Sequence, residues 1–310
     1  GKFLDEECLK FAAQIATKTG CRLVTDTFVS RIRRGAGLPI VQQVPYFSEM
    51  AEDFLQGTES IVFIGTKPPV SFFAYPDKKS FLSPDEAELF ELCSVEENGY
   101  EALALLSELS GSPKIANELI RPYIADVPTS GDLDVTTLGP LIADIMPEES
   151  IVSDESATSS LIVTPHALQA KPHDWLALTG GSIGQGLPLA IGASIAKPDR
   201  PVITLHGDGG AMYTVQALWT QARENLNITN IIFSNRSYEI LKIELDRVQA
   251  VETGERAASM FSMDNPPIDW VNLAESMGVQ GYKPKTVKEF KDVFSKSVNE
   301  SGPSLIEIEI

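Results

Sequence analysis

An α/β fold of two doubly wound domains with mainly parallel sheets is predicted by three features. These are the length, the alternation of strand and helix patterns, and an apolar strand that runs into a Gly-rich turn. The chain has 310 residues, enough for two domains of ordinary size that each bury a core. Hydrophobic residues make up 43% and charged residues 22%, a globular balance without the Pro, Gly or charge excess of a disordered chain.

Charge and cysteine usage narrow the function classes. The formal net charge is −18, from 25 Lys and Arg against 43 Asp and Glu. The average field therefore repels duplexes and anionic membranes, and neither is an expected partner. The one basic cluster, Arg31, Arg33 and Arg34 around Ile32, reads as a solvated face, with a cofactor phosphate as the lesser alternative. Cys8, Cys21 and Cys93 are too few and too scattered for a disulfide framework or a metal set. A cytoplasmic location is expected. No apolar run approaches the ~20 residues that span a bilayer, and no basic segment followed by an apolar one opens the chain. The first residue is Gly1 rather than Met and a helical pattern follows at once, as expected of a processed or excised piece.

Leu4, Cys8, Phe11 and Ile15 recur at helical spacing until Gly20, so the first domain opens on a helix. A strand at 22–25, a helix at 46–55, strands at 60–64 and 89–93 and a helix at 99–109 follow. Pro113, Pro122, Pro128 and the pair Ser130 and Gly131 punctuate the next stretch, which places the domain boundary there, dividing 1–125 from 126–310. The second domain reads as strands at 151–153, 175–178, 201–205, 228–233 and 304–310. Its helices are expected at 136–145, 184–196, 211–224, 269–277 and 287–298.

The chemistry concentrates in residues 201–211, PVITLHGDGGA, a strand, a Gly-rich turn and a helix start. In a parallel α/β sheet anions bind at the carboxyl ends of strands, where free N–H groups and the helix dipole favour negative charge. Gly207, Gly209 and Gly210 let backbone approach a phosphate, whereas the Asp208 carboxylate would repel it unless a divalent cation stands between. Magnesium takes one or two protein carboxylate-type ligands with phosphate and water oxygens. The strand at 228–233 ends at Ser234, Asn235, Arg236 and Ser237, which offers the Asn235 amide oxygen and the Ser237 carbonyl as partners for Asp208.

Alone, a Gly-Asp-Gly turn is weak, since Asp and Gly are ordinary turn residues. Its spacing is more specific: Asp208 and Asn235 stand 27 positions apart, each after an apolar strand, with one amphipathic helix between them. This pattern resembles the signature of thiamine diphosphate enzymes, most of all benzoylformate decarboxylases and acetolactate synthases. Residues 179–188, TGGSIGQGLP, resemble the family segment that meets the middle of the cofactor. The resemblance covers roughly residues 130–310 by motif, and the earlier part resembles the family's central domain in order and pattern only.

The resemblance implies that Asp208, Asn235 and the carbonyl of Ser237 hold magnesium, and that Gly207, Gly209, Gly210 and the backbone of Tyr238 meet the diphosphate. Gly210 stands where many members have Ser. Thr158 matches a position that often donates to the diphosphate, a helix-start hydroxyl being an equal alternative. Ile183 matches the apolar wedge that bends the cofactor, and the Gly181 carbonyl would accept from its aminopyrimidine. Preorganisation of this kind is the protein's main contribution, since the cofactor supplies the nucleophile and the electron sink. A 2-keto acid substrate is implied, with decarboxylation or carboligation as the outcome. The residues give no support for FAD, a cofactor the resemblance leaves open in the first domain.

The family's activating Glu lies on a separate pyrimidine-binding domain, and no segment here resembles it. The chain is therefore expected to be an incomplete catalyst by itself, needing that domain and a homo-oligomer, dimer or tetramer. Glu155 and Glu239 are not assigned that role. His206 reads as packed or hydrogen-bonded, and His166 and His173 as loop residues that are more often solvated than catalytic. Residues 238–245 read as a helix lining the substrate cleft or, equally, as a core helix. A non-catalytic cofactor-binding or oligomerisation module is the competing reading. A nicotinamide enzyme ranks last, for want of a GxGxxG turn with an acid ~20 residues on.

Overall fold

The computed structural model describes residues 2–124, 126–248 and 254–310. The chain forms two compact units: Gly1–Arg33 with Gly37–Arg121, and Arg34–Ala36 with Pro122–Ile310. The main division thus falls after Arg121, while the expected boundary at 125 lies on a residue outside the described ones.

The first unit opens on helix α1 (Glu6–Thr19). Asp5 caps it by accepting from the N–H groups of Glu7 and Cys8, and Gly20 closes it in the left-handed region at φ 75°. The short strands β1 (Val24–Thr25), β2 (Ile32–Arg34) and β3 (Gln42–Gln43) precede α2 (Ser48–Leu55), β4 (Ser60–Ile64), β5 (Glu88–Cys93) and α3 (Gly99–Leu109). β1 pairs with β3 and β4 with β5, both in parallel, and α3 packs on α1. Helix α2 starts two residues later than expected. The ring of Tyr46 is drawn instead into an edge-on aromatic cluster, 6.0 Å from Phe28 and 5.1 Å from Phe47.

The second unit carries α4 (Val135–Ile145), β6 (Ile151–Glu155), α5 (Ser160–Ala167), β7 (His173–Leu176), α6 (Gly186–Ala196) and β8 (Val202–Gly207). The single turn α7 (Asp208–Ala211), α8 (Ala217–Arg223), β9 (Ile228–Ser234), α9 (Glu239–Arg247) and α10 (Glu255–Ser259) follow. Last come α11 (Trp270–Ser276), β10 (Gln280–Tyr282), α12 (Val287–Asn299) and β11 (Ser304–Glu309). Six strands form a parallel sheet in the order β10-β11-β9-β8-β6-β7, with Arg34 at the β7 edge. Strands β8 and β9 are covered on both faces and read accordingly as near-continuous apolar runs. The buried Asn230 in β9 is fully engaged: it accepts from Thr204 and Gln221 and donates to Gln221 and to the Ser304 carbonyl. That network ties β8, α8, β9 and β11 together.

Three expectations are corrected here. The helix expected at 211–224 is interrupted between α7 and α8, where the Thr214 hydroxyl donates to the Gly184 carbonyl at 2.6 Å. A single turn aligns few peptide dipoles, so the turn offers amide donors rather than a helix dipole. Arg34 is no solvated side chain: it is buried, its guanidinium lies 3.4 Å from the Trp175 ring centroid, and its Nε donates to His173. His173 is accordingly a buried residue of β7, with Nδ1 donating to the Lys171 carbonyl, and His166 lies in α5 against Gly139. Neither histidine belongs to a solvated loop.

This packing gives a first prediction. Replacing Arg34 with Ala removes a desolvated cation–π contact and the His173 partner, and should cost about 2 kcal/mol in chemical denaturation. Equal stability would return Arg34 to a solvated face.

Candidate active site

The site is built where β8 and β9 end. Their register pairs Gly207 with Phe233, which sets Asp208 beside residues 234–237. The Asp208 side chain is buried, at 3% exposure for the residue. Its Oδ1 accepts from the Gly209 N–H at 2.8 Å and its Oδ2 from the Arg236 N–H at 2.7 Å. Asp208 thus touches the loop that carries Asn235 and Ser237. Asn235 Oδ1 accepts from the Ser237 N–H at 3.0 Å and shapes the loop into an Asx turn.

Arg236 sits in the left-handed region at φ 53°, a costly conformation for a side chain with a Cβ. It is fixed from both ends. Its carbonyl accepts from Met263, and its guanidinium bonds Asp264 at 3.1 Å and Glu309 at 2.5 Å.

Burial pushes the Asp208 carboxyl above its ordinary range, against the pull of the Arg236 and Gly209 amides. A buried carboxylate whose hydrogen bonds, among the described residues, come from neutral N–H donors is the kind of group a divalent cation stabilises. Among the described residues no cluster of three or more His, Cys, Asp and Glu is arranged for a metal ion. A cation at this site would rest on one carboxylate with amide and carbonyl oxygens, and Asp208, Asn235 and Ser237 supply that mixed set. The residues present fit the group.

The surrounding residues divide. Close approach at Gly209 is required, because a Cβ there would stand 2.7 Å from the Tyr238 ring. The backbone of Tyr238, expected to hold a diphosphate, is already engaged: its N–H donates to the Phe261 carbonyl and its carbonyl accepts from Leu241, both at 2.9 Å. The Tyr238 contribution visible here is its ring. Thr158 is half-buried in the 3-10 turn Ala157–Ser159, which packs against β8 and α9, so the fold brings it to the same strand ends. Helix α9 buries none of its residues, which removes the core-helix alternative.

Ile183 lies in the loop before α6 with 48% of its surface exposed, and the Gly181 carbonyl accepts from the Ile183 N–H at 2.9 Å. One lone pair of that carbonyl remains for a second donor. The loop is stapled to the segment after α7 by the Thr214–Gly184 bond, and a Cβ at Gly184 would stand 2.8 Å from Tyr213 Cβ.

Glu155, which sequence reasoning passed over, closes the arrangement. It is buried at the end of β6 and accepts from the N–H groups of Gly184 at 2.5 Å and Gly186 at 2.7 Å, with His206 Nε2 3.1 Å away. His206 is buried in β8, as expected of a packed residue. Burial would raise the Glu155 carboxyl, but His206 and the two amides outweigh it and hold the group below the usual glutamate range. The only signal in the sequence was an acid ending an apolar strand.

Comparisons with known proteins show what the chain is similar to. Residues 157–308 match the family profile of the thiamine pyrophosphate enzyme C-terminal TPP binding domain. Over 306 residues the chain is 41% identical to a Mycobacterium tuberculosis protein that carries the name "Putative acetolactate synthase large subunit IlvX", covering 97% of this chain and 58% of the relative. It is 26% identical over 205 residues to benzoylformate decarboxylase of Pseudomonas aeruginosa, covering 66% of this chain and 38% of that protein. The crystal structure of benzoylformate decarboxylase from Polynucleobacter necessarius shares the fold, with a TM-score of 0.76 at 20% identity, over 100% of this chain and 60% of that one. The chain therefore spans less than two thirds of these relatives.

A pH prediction follows from Glu155. Its folded value lies below the ordinary one of 4.5, so its ionised form stabilises the fold above that value and the contribution is lost as pH falls through the folded value. The stability advantage of the native chain over Glu155→Gln should shrink as pH falls below about 4.5. A difference that stays flat to lower pH would remove this assignment.

Proposed function

We propose that this chain, whose residues 157–308 match the C-terminal TPP binding domain of the thiamine pyrophosphate enzymes, serves a thiamine diphosphate- and Mg2+-dependent enzyme acting on a 2-keto acid. The observation that carries this reading is the Asp208–Arg236 contact at 2.7 Å, which joins the Gly-Asp-Gly turn to the Asn235 loop. Asp208, Asn235 and the Ser237 carbonyl would hold Mg2+. Gly207, Gly209, Gly210 and Thr158 would line the diphosphate, with the Tyr238 ring closing the turn. Ile183 would fix the bend of the cofactor and Gly181 would orient its aminopyrimidine through the remaining lone pair.

When bound, the cofactor supplies the nucleophilic carbon and the electron sink. The residues of this chain bind and orient it, which is the larger part of the protein's task in such chemistry. Decarboxylation and acetolactate synthase-like carboligation are both consistent with the names of the relatives. The group that protonates the aminopyrimidine is assigned to a pyrimidine-binding domain outside these 310 residues, met in a homodimer or homotetramer. Free Cys8, Cys21 and Cys93 accord with a cytoplasmic setting.

Calorimetric titration of thiamine diphosphate in the presence of Mg2+ tests the metal assignment. Asp208→Ala should weaken Mg2+-dependent binding by about 100-fold or more, beyond the loss usual for a residue that only orients a metal ligand. Unchanged binding would sink it. In a second test, the chain alone with Mg2+ and thiamine diphosphate should not turn over pyruvate or benzoylformate. Turnover would place the activating group within this chain.

A further inference from the structure

We propose that Glu155 is a positioning residue for the cofactor, holding the Ile183 loop and the Gly-Asp-Gly turn in one fixed arrangement, and that its carboxylate, with the His206 ring beside it, is the reason for glycine at 210. The proposal rests on the reading above that these two segments receive thiamine diphosphate. Three segments converge on the side chain. The β6–β8 register pairs Glu155 with His206, so both stand at the ends of neighbouring strands. From the loop side, the N–H groups of Gly184 and Gly186 reach one carboxylate oxygen each, at 2.5 and 2.7 Å. From the turn side, a Cβ added at Gly210 would lie 2.9 Å from Glu155 Oε1 and 3.0 Å from His206 Cε1. At Gly186 it would lie 2.8 Å from His206 Cδ2 and 3.1 Å from Glu155 Cβ.

The position of Ile183 depends on this contact. Its side chain is half exposed, so packing does little to hold it. What fixes its backbone is the Gly181 carbonyl before it and the Gly184 peptide after it. That peptide donates its N–H to Glu155 and accepts from Thr214 at its carbonyl. Glu155 acts through Gly184 and Gly186 rather than on reacting atoms. The same crowding accounts for Gly210, since a side chain there would have to displace the carboxylate or the imidazole.

The test uses the full chain with two ligands, Mg2+ with thiamine diphosphate and Mg2+ with inorganic diphosphate, followed by calorimetry. Glu155→Gln keeps the shape but turns an amide NH2 toward one of two N–H donors. It should weaken thiamine diphosphate binding about 10-fold or more, the scale of a buried donor left without its acceptor. Inorganic diphosphate, which does not reach Ile183, should lose less than about 3-fold, and amide hydrogen exchange at Gly184 and Gly186 should quicken. Gly210→Ala, which crowds the carboxylate without removing it, should weaken binding in the native chain and cost less in a Glu155→Ala background, where only the His206 ring still crowds it; it also serves if Glu155→Gln does not fold. Equal losses for the two ligands, or unchanged amide exchange, would overturn the positioning role. A native chain that binds neither ligand would overturn the cofactor reading itself.

Discussion

The register between β8 and β9 is the constraint on which the site depends. Both strands are buried on both faces, and Asn230 fills its amide by meeting Gln221, Thr204 on one neighbouring strand and the Ser304 carbonyl on the other. A slip of one residue would break both bonds and turn every side chain of the strand to the opposite face. With the register fixed, Gly207 faces Phe233 and the chain must turn at Asp208 and at Asn235 at the same sheet edge. The crevice at the carboxyl ends of parallel strands thus follows from core packing before any ligand is considered.

Two carboxylates are buried at that edge, and the structure treats them differently. Glu155 has two amide donors and His206, and it is held in its ionised form below the ordinary range. Asp208 has amide donors alone and is pushed upward by burial. In an acidic chain with a net charge of −18, the carboxylate whose hydrogen bonds come from neutral donors is where an added cation gains most. The contrast separates the two acids by environment rather than by residue type.

The elements legible in the sequence were those whose partners are local or periodic. The strands at 151, 202 and 228 announce themselves as apolar runs, and the Gly-Asp-Gly turn with Asn235 follows from them. The features that escaped depend on distant partners. Arg34 meets His173 across 139 positions, and its cluster with Arg31 and Arg33 hides the fact that its own guanidinium is buried on Trp175. The helix expected at 211–224 kept its periodicity through Met212, Val215, Trp219 and Ala222, yet it breaks after Ala211, where the Thr214 hydroxyl meets Gly184. The Tyr238 backbone, expected from the resemblance to meet the diphosphate, bonds to Phe261 and Leu241 instead. Glu155 left almost no trace, because its partners are backbone N–H groups of glycines, which no side-chain pattern reports.

That last case bears on how such a site stays rigid around a mobile-looking surface. Ile183, Met212 and Tyr213 are all exposed by more than a third, and apolar packing alone would leave their backbones loose. The restraint comes from polar contacts to main chain: Glu155 to Gly184 and Gly186, Thr214 to Gly184, and Ile183 to Gly181. Bonds of this kind fix backbone position without covering the side chains, so the apolar groups remain available to a ligand at a geometry set from below. A site held only by its own hydrophobic contacts would have to give up those contacts to bind, and the binding energy would go into rearrangement rather than orientation.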